Sequence, residues 1–148
     1  MCPLCEREAL LRAGSYPYLV KELEHTWWLL GEHQYYAGYS VLLLKGHERE
    51  ISDLSPERAE GVFRELRQVE SAVRRTFRPH KMNLCSLGNV VDHVHWHLFP
   101  RYAEDSQRAN PAWLQMGEFA TKNITPNEAQ PLIQRLTQSL ANDGEALR

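Results

Sequence analysis

The stretch that decides the fold of this 148-residue chain alternates histidine with large apolar side chains and reads His93-Val94-His95-Trp96-His97-Leu98-Phe99-Pro100-Arg101. Successive side chains of a β-strand point to opposite faces. On a strand, the three imidazoles therefore share one face, while Val94, Trp96 and Leu98 share the other and enter the core. Neighbouring imidazoles pack poorly, so we expect the histidine face to line a polar cleft or to bind a ligand.

Two chemistries fit three histidines on one face of a strand. In the first, the imidazoles hold a catalytic zinc ion whose bound water reacts. In the second, one imidazole is a nucleophile towards phosphorus, and its neighbours orient it and bind phosphate oxygens. No carboxylate stands at the spacing of a hydrolytic di-metal site, and Asp92, directly before the run, is expected on the opposite face. The spacing alone leaves both chemistries open.

The segments around this run predict an antiparallel α+β domain. Apolar, aromatic and β-branched runs predict strands at residues 18–24, 25–31, 39–45, 81–87 and 90–100. A long amphipathic helix is predicted to follow Ser55, its N-cap. A second helix lies within residues 125–142, where Thr125 and Glu128 resemble a capping box but Pro131 leaves the first helical residue open.

Composition narrows the class of protein. The chain carries 17 basic and 19 acidic residues, so its net charge is −2. It lacks the excess of positive charge that is typical of proteins that bind nucleic acid or an anionic membrane. Its apolar runs are strand-sized, shorter than the roughly 18 residues of a membrane span, and its first residues lack the pattern of a secretory signal. We therefore expect a single cytoplasmic domain over residues 1–148, without nucleic-acid or membrane partners.

Three further histidines and the tail of the chain are given structural interpretations. The histidines at the edges of predicted elements are expected at the surface: His25, His33 and His80. For His33 the alternative is that its ring reaches a ligand in the site. The tail at residues 103–123 is predicted as an ordered loop with three large apolar side chains, Trp113, Met116 and Phe119. These side chains form either a wall beyond the site or, as the preferred interpretation, packing beneath the tail.

The histidine run resembles the signature of the histidine triad (HIT) superfamily, His-x-His-x-His-x-x with apolar x, at every position. Residues 38–47 are similar to the family's strand that ends in Pro-Lys-x-His. The long helix, the Gly88-Asn89 turn and an N-terminal Cys-x-x-Cys follow the order of bacterial-type HIT hydrolases, so the resemblance covers residues 1–102 and leaves residues 103–148 as a C-terminal loop and helix. It implies an α+β HIT-like fold, an antiparallel sheet of about five strands with two helices, continued across a homodimer.

Members of this family are hydrolases and transferases that act at the α-phosphate of nucleotides, in dinucleoside polyphosphates, nucleoside phosphoramidates or nucleotide sugars. By position, the resemblance makes His95 the nucleophile, which forms a covalent nucleotidyl-histidine intermediate. It gives His97 the role of binding phosphate and positioning the nucleophile and leaving group. It makes His93 the supporting or metal-binding member.

The resemblance also indicates substrate contacts. Backbone amides near Gly88 and the side chain of Asn89 are expected to contact phosphate, and Glu32 is the candidate for the ribose hydroxyls. Tyr39 stands where the family usually has histidine, and Val90 stands where a hydroxyl residue commonly contacts phosphate. These departures keep the nucleophile and indicate a divergent pocket.

The resemblance implies a structural zinc and no organic cofactor. The bacterial-type pattern, carried over, gives a tetrahedral set of two cysteines and two histidines: Cys2, Cys5, His47 and His93. Cys85 is expected to be buried packing. Two alternatives to the hydrolase stay open. One is a non-catalytic nucleotide-binding or adaptor protein, and the other is a zinc hydrolase that uses the histidines of the run as ligands.

Overall fold

The computed structural model describes residues 1–146, with side chains as far as residue 142. The strands are β1 (Leu19–Glu22), β2 (Thr26–Leu30), β3 (Ser40–Leu44), β4 (Lys81–Cys85) and β5 (His95–Arg101). They form one antiparallel sheet in the order β1-β2-β3-β5-β4. The helices are α1 (Pro3–Arg12), α2 (Pro56–Phe77) and α3 (Pro126–Ala146), and 3₁₀ helices cover Ile51–Asp53 and Ala112–Lys122. The predicted α+β class with a five-stranded antiparallel sheet is confirmed.

Both faces of the sheet are covered. One face, including Trp28, Leu42 and Leu98, packs in a single cluster with α2 and α3. The other face, including Trp27, Leu43 and Phe99, packs in a second cluster with α1 and the 3₁₀ helix at Ala112–Lys122. This double cover explains why β2 and β3 are buried at every position and read as nearly continuous apolar runs rather than alternating ones.

The histidine strand is shorter than the sequence indicates. A strand is predicted from residue 90, but β5 begins only at His95. Val94 instead bonds to the end of β3 and the loop beyond it: its N–H donates to the Glu48 carbonyl at 2.8 Å, and its carbonyl accepts from the Leu44 N–H at 3.2 Å. The prediction that all three histidines lie within one strand is therefore wrong for His93.

Helix α1 is an addition to the two helices that the sequence predicts. Its buried side chains are Leu4, Glu8 and Leu11, so a carboxylate stands in the middle of its inner face. That carboxylate accepts from the backbone N–H of Gly46 at 3.0 Å and from the Arg12 guanidinium at 2.5 Å. These hydrogen bonds lower the pKa of Glu8 although burial acts in the opposite direction. The helix is therefore held by a buried charge as well as by apolar contact.

The two long helices begin at identifiable caps. Ser55 caps α2, its hydroxyl accepting from the Arg58 N–H at 3.3 Å, as predicted. For α3 the capping box is formed by Thr125 and Glu128, and the helix begins at Pro126. Pro131 lies inside α3 on its exposed side and does not interrupt it, which settles where this helix starts.

The described residues contain no helix long and apolar enough to cross a bilayer. Within the same part of the chain, β1 and β4 are the edges of the sheet. Leu84 on β4 is 41% exposed, so this edge presents an apolar side chain. Continuation of the sheet across a dimer stays a prediction.

Arg101, the last residue of β5, organises the loop that leads to the C-terminal third of the chain. It is 1% exposed, and its guanidinium donates to the Asp105 carboxylate at 2.8 Å and to the side-chain oxygen of Asn83 at 3.0 Å. It also donates to the carbonyls of Gln107 at 2.7 Å and Asn110 at 2.8 Å. One buried cation thus satisfies acceptors on β4 and on the loop.

Replacing Arg101 by alanine is expected to lower the free energy of unfolding by about 3 kcal/mol, because it leaves a carboxylate and several carbonyls without their donor. Urea unfolding followed by circular dichroism measures the change. Arg64→Ala, on the exposed side of α2, is the matched control and is expected to change stability by less than about 0.5 kcal/mol. Equal stabilities of the two variants would contradict the role assigned to Arg101.

Candidate active site and metal site

Strand β5 brings two of the histidines together at the middle of the sheet. His95 lies opposite Leu43 and His97 opposite Val41 on β3, and His97 also lies opposite Cys85 on β4. The Nε2 atoms of His95 and His97 are 3.0 Å apart, and the rings are nearly perpendicular. Both rings are partly exposed, so the pair lies in the sheet and still reaches solvent.

Each histidine of this pair has a second partner. The Nδ1 of His95 lies 2.6 Å from the carbonyl oxygen of His93, which can only accept, so Nδ1 carries the proton. The Nε2 of His95 in its neutral form therefore holds a lone pair. On His97, the Nδ1 lies 2.7 Å from the hydroxyl of Tyr39. The two rings are thus held at both nitrogens, and the pair has one nitrogen suited to nucleophilic attack.

Burial keeps the His97 ring and the Tyr39 hydroxyl uncharged. Burial, followed by the neighbouring His95 and His33, lowers the pKa of His97 to about 3. Burial raises the pKa of the Tyr39 hydroxyl above its ordinary value, so the hydroxyl stays protonated. At neutral pH His97 is consequently an uncharged imidazole that can donate through one nitrogen and accept through the other.

His93 lies outside the strand and turns towards the N-terminus of the chain. It is fully buried, and its Nε2 donates to the Leu44 carbonyl at 2.9 Å. Its Nδ1 lies 3.6 Å from the sulfur of Cys5 and 3.8 Å from that of Cys2. Burial lowers the pKa of His93, which favours the neutral ring. His93 is therefore joined to the other two histidines through its backbone rather than its ring.

His47 completes a cluster of four donors with Cys2, Cys5 and His93. Its Nδ1 lies 3.3 Å from the sulfur of Cys5, and all four donor atoms lie within 4.8 Å of one another. A tetrahedral zinc ion at ordinary bond lengths separates its sulfur and nitrogen ligands by about 3.4–3.8 Å. The hydrogen bond from His93 Nε2 leaves Nδ1 free to bind, the usual arrangement of a metal-ligating histidine. The residues present fit a structural zinc.

Asp92 stands beside this cluster and not on the opposite face of a strand, where the sequence indicated it. Because β5 starts three residues later, Asp92 belongs to the preceding loop. One of its carboxylate oxygens lies 3.7 Å from the Nε2 of His47, and the other accepts from the Nε of Arg49 at 2.8 Å. Asp92 is not one of the four donors, and its carboxylate lies on the Nε2 side of the His47 ring, where outer partners of metal-ligating histidines lie.

Two cavities meet at His95. One, of about 340 Å³, is lined by polar residues that include Arg49, Ser52, Ser86 and Asp92. The other, of about 480 Å³, also reaches His97 and is lined mainly by apolar residues: Leu87, Val90, Val91, Trp113 and Met116. Gly88 and Asn89 line both cavities, so the predicted phosphate-contacting turn lies next to the predicted nucleophile. Gly88 has φ +71°, a left-handed conformation that glycine adopts without strain.

The other two predicted substrate contacts lie on a different side of the site. Glu32 accepts from Arg7 at 3.2 Å and from the Tyr16 hydroxyl at 2.8 Å, in a third cavity of about 380 Å³. The Tyr39 ring lines the same cavity, while its hydroxyl contacts His97. The structure therefore does not bring Glu32 to His95, and it joins Tyr39 to a histidine.

Two aromatic side chains of the site lie in positions other than those that the sequence predicts. Trp113, for which packing beneath the tail was preferred, lies edge-on against His97 with ring centroids 4.7 Å apart and lines the apolar cavity. His33, expected at the surface, is stacked between Tyr39 and Phe119 at centroid distances of 4.4 Å each, and burial lowers its pKa. For both residues the structure favours the less preferred of two interpretations: Trp113 forms a wall of the site, and His33 lies inside it rather than at the surface.

The structure thus combines a five-stranded antiparallel sheet, a histidine pair on the interior strand β5, and a cluster of four residues that could hold a metal ion. The HIT domain family model matches residues 19–104, which is more than half of the chain, and the chain belongs to the HIT family. The resemblance of the histidine run to this family is thereby confirmed.

Individual relatives agree with this assignment. The protein named Protein hit from Bacillus subtilis is 29% identical over 98 residues, covering 62% of this chain and 68% of its own length. A histidine triad protein from Marinobacter aquaeolei has TM-score 0.74 at 24% identity, covering 96% of this chain and 98% of that one. A zinc-bound histidine triad family protein from Mycobacterium smegmatis has TM-score 0.67 at 19% identity, covering 98% and 96%. At these identities the two structures show the fold.

Proposed function

We propose that the protein is a nucleotide hydrolase or nucleotidyl transferase in which His95 attacks the α-phosphate of its substrate. HIT proteins are a nucleotide-binding, hydrolase-type family, which supplies the class of reaction. The observation that carries the proposal is the 2.6 Å hydrogen bond from His95 Nδ1 to the carbonyl of residue 93. It fixes the ring with the lone pair of Nε2 at the junction of the two cavities.

The reaction divides into two displacements at phosphorus. In the first, the lone pair of His95 Nε2 forms a P–N bond, and the bond from phosphorus to the leaving group breaks with its electron pair going to that group. In the second, a water oxygen forms a P–O bond, the P–N bond breaks with its electron pair returning to His95 Nε2, and the water releases one proton to solvent. A nucleoside monophosphate is released, and a covalent intermediate divides one difficult step into two easier ones.

The surroundings of His95 supply donors for the charge that develops on phosphorus. The Nε2–H of His97 lies within 3.0 Å of the reacting nitrogen and is placed to donate to a phosphate oxygen or to the leaving group. Gly88 and Asn89, in the loop before β5, line the same cavity as His95, and their backbone N–H groups are the donors assigned to phosphate. These donors act in a partly enclosed site, where such interactions are stronger than in water.

The two cavities divide the substrate into an apolar part and a polar part. The apolar cavity, with Trp113 as one wall, suits a nucleoside base, because an aromatic side chain stacks on any base. The polar cavity, with Arg49, Ser52 and Ser86, suits the groups beyond the α-phosphate. Nucleoside phosphoramidates and dinucleoside polyphosphates are the substrate classes that this division accommodates.

A structural zinc held by Cys2, Cys5, His47 and His93 is part of the proposal. When bound it supplies a rigid link between α1, the end of β3 and residue 93, and it takes no part in the chemical step. The donor set and the distances between the donors support it, as does the zinc-bound relative from Mycobacterium smegmatis. His93 faces this cluster, which leaves the histidine pair of β5 without its third ring and disfavours a catalytic zinc on the run.

A non-catalytic nucleotide-binding protein is the second candidate, and one observation favours it. Val90 is 97% exposed on the turn at which a hydroxyl would otherwise contact phosphate. The turn therefore offers one donor fewer to the transition state than the resemblance implies. Binding of a nucleotide without turnover would identify this alternative.

Trapping the covalent intermediate tests the proposal. Protein mixed with adenosine phosphoramidate or diadenosine tetraphosphate is quenched in acid-free denaturant within one turnover, and its intact mass is measured. We expect a shift by the mass of an adenylyl group, assigned by peptide fragmentation to His95 and absent from His95→Ala. Release of AMP without any adduct, or an adduct on another residue, would contradict the assignment of the nucleophile.

A further inference from the structure

The hydroxyl of Tyr39 is the hydrogen-bond partner of His97 Nδ1, the ring nitrogen that does not contact His95. The oxygen lies 2.7 Å from His97 Nδ1, and the two residues are 58 positions apart in the chain. Pairing of Val41 with His97 across β3 and β5 brings them together. Tyr39 is 6% exposed, so this contact is shielded from competing water.

The Tyr39 ring is fixed from several sides. It is stacked on His33 at a centroid distance of 4.4 Å and on Phe99 at 4.7 Å, with interplanar angles of 15° and 9°. A Cβ atom on Gly31 would lie 2.1 Å from a ring carbon of Tyr39, so glycine at this position makes room for the ring. The phenol is therefore a rigid donor whose hydroxyl position is determined by packing.

Only one arrangement of protons satisfies the whole neutral chain of contacts. The carbonyl of residue 93 accepts from His95 Nδ1, so His95 Nε2 is unprotonated. At 3.0 Å, His97 Nε2 must then donate to it, because two lone pairs would repel each other. His97 Nδ1 is consequently an acceptor, and Tyr39 is its donor. The chain of donors runs from Tyr39 through His97 to His95.

We propose that Tyr39 is a positioning residue, whose hydroxyl holds His97 in the tautomer and orientation that direct its Nε2–H to the reacting nitrogen of His95 and, with substrate bound, to phosphate or leaving group. The mechanistic part of this inference rests on the proposed function, whereas the proton arrangement does not. A ring with an unbonded Nδ1 is able to turn over about its Cβ–Cγ bond, which takes the N–H away from His95. Tyr39 prevents that rotation.

Burial makes tyrosine suited to this role. Because burial raises the pKa of the hydroxyl, it stays protonated at neutral pH and donates to the neutral His97 ring. A second histidine at this position would add a titrating group and a choice of two tautomers. Tyrosine offers His97 one donor of fixed direction.

The test compares Tyr39→Phe with Tyr36→Phe. Both substitutions remove one phenolic oxygen from a buried ring, and the ring of Tyr39 keeps its stacking partners as phenylalanine. The Tyr36 hydroxyl is buried without a hydrogen-bond partner in the described part of the chain, which makes it the matched control. The ¹⁵N chemical shifts of the His97 ring, in protein with ¹⁵N-labelled histidine, report which nitrogen carries the proton and whether the other accepts a hydrogen bond.

In the wild type and in Tyr36→Phe we expect a protonated Nε2 and an unprotonated, hydrogen-bonded Nδ1. In Tyr39→Phe we expect the Nδ1 resonance to move towards that of a nitrogen without a donor. With turnover measured on the same samples, kcat of Tyr39→Phe is expected to fall about tenfold while KM changes less than about twofold. A proton on His97 Nδ1 in the wild type, or an unchanged Nδ1 resonance in Tyr39→Phe, would overturn the inference. Absence of turnover with the expected shifts would count against the proposed function alone.

Discussion

His95→Ala is expected to lower kcat by about 10⁴-fold or more while the protein remains folded, because it removes the atom that forms the bond to phosphorus. AMP release from adenosine phosphoramidate under saturating conditions measures the effect. His95 is only partly buried and its ring packs chiefly against His97, so the substitution opens the site without emptying the core. Circular dichroism and thermal unfolding of the variant verify the fold.

Two controls separate the nucleophile from other roles of a histidine. His80→Ala removes an exposed imidazole next to β4 and is expected to leave kcat unchanged. His95→Gly with added imidazole is expected to regain part of the lost activity, since the free ring can enter the vacated place and attack the same phosphorus. Full activity of His95→Ala, with loss of activity when a chelator is added to folded wild type, would instead favour a metal-bound hydroxide.

Removal of zinc is expected to destabilise the protein about as much as the loss of the Arg101 side chain. Wild-type protein should contain about one zinc ion per chain by elemental analysis, and Cys5→Ala should contain almost none. We expect bound zinc to contribute about 3 kcal/mol to the free energy of unfolding at Tm, because thiols of the unfolded chain also bind metal and so offset part of the binding free energy. Loss of this contribution corresponds to a fall in the unfolding midpoint of about 6–12 °C. Strong chelation of the wild type is expected to give the same shift.

The control for this experiment is Cys85→Ala. Cys85 is partly buried on β4 and is not one of the four clustered donors, so its loss is expected to leave the metal content unchanged. A wild type that holds no zinc after purification in its presence, or a midpoint that chelation does not move, would show that the four donors are not a metal site.

The strands and the histidine pair could be predicted from sequence because their signals are local. Alternation placed His95 and His97 on one face, and the apolar runs placed β2 and β3. Helix α1 could not be predicted in the same way, because Glu8 stands where an apolar residue would complete the buried stripe. Its acceptors are satisfied by Gly46 and Arg12, and the first of these contacts exists only in the folded chain.

The contacts that complete the site depend on pairing between distant segments. The position of Tyr39 was noted from sequence as a departure, but its bond to His97 follows from the register of β3 against β5. The true start of β5 follows from the turn of His93 towards Cys2 and Cys5, which overrides the apolar pattern at residues 90–94. In both cases the decisive partner lies tens of residues away, beyond the reach of local periodicity.

The double attachment of His93 restricts how this protein can be altered. Its ring belongs to the four-donor cluster, while its carbonyl accepts a hydrogen bond from the ring of His95, the proposed nucleophile. Substitutions at the two sites are therefore not independent, and their effects on turnover are not expected to add. An engineered variant that replaces the metal donors with apolar packing or a disulfide must still hold the backbone at residue 93 in the same place.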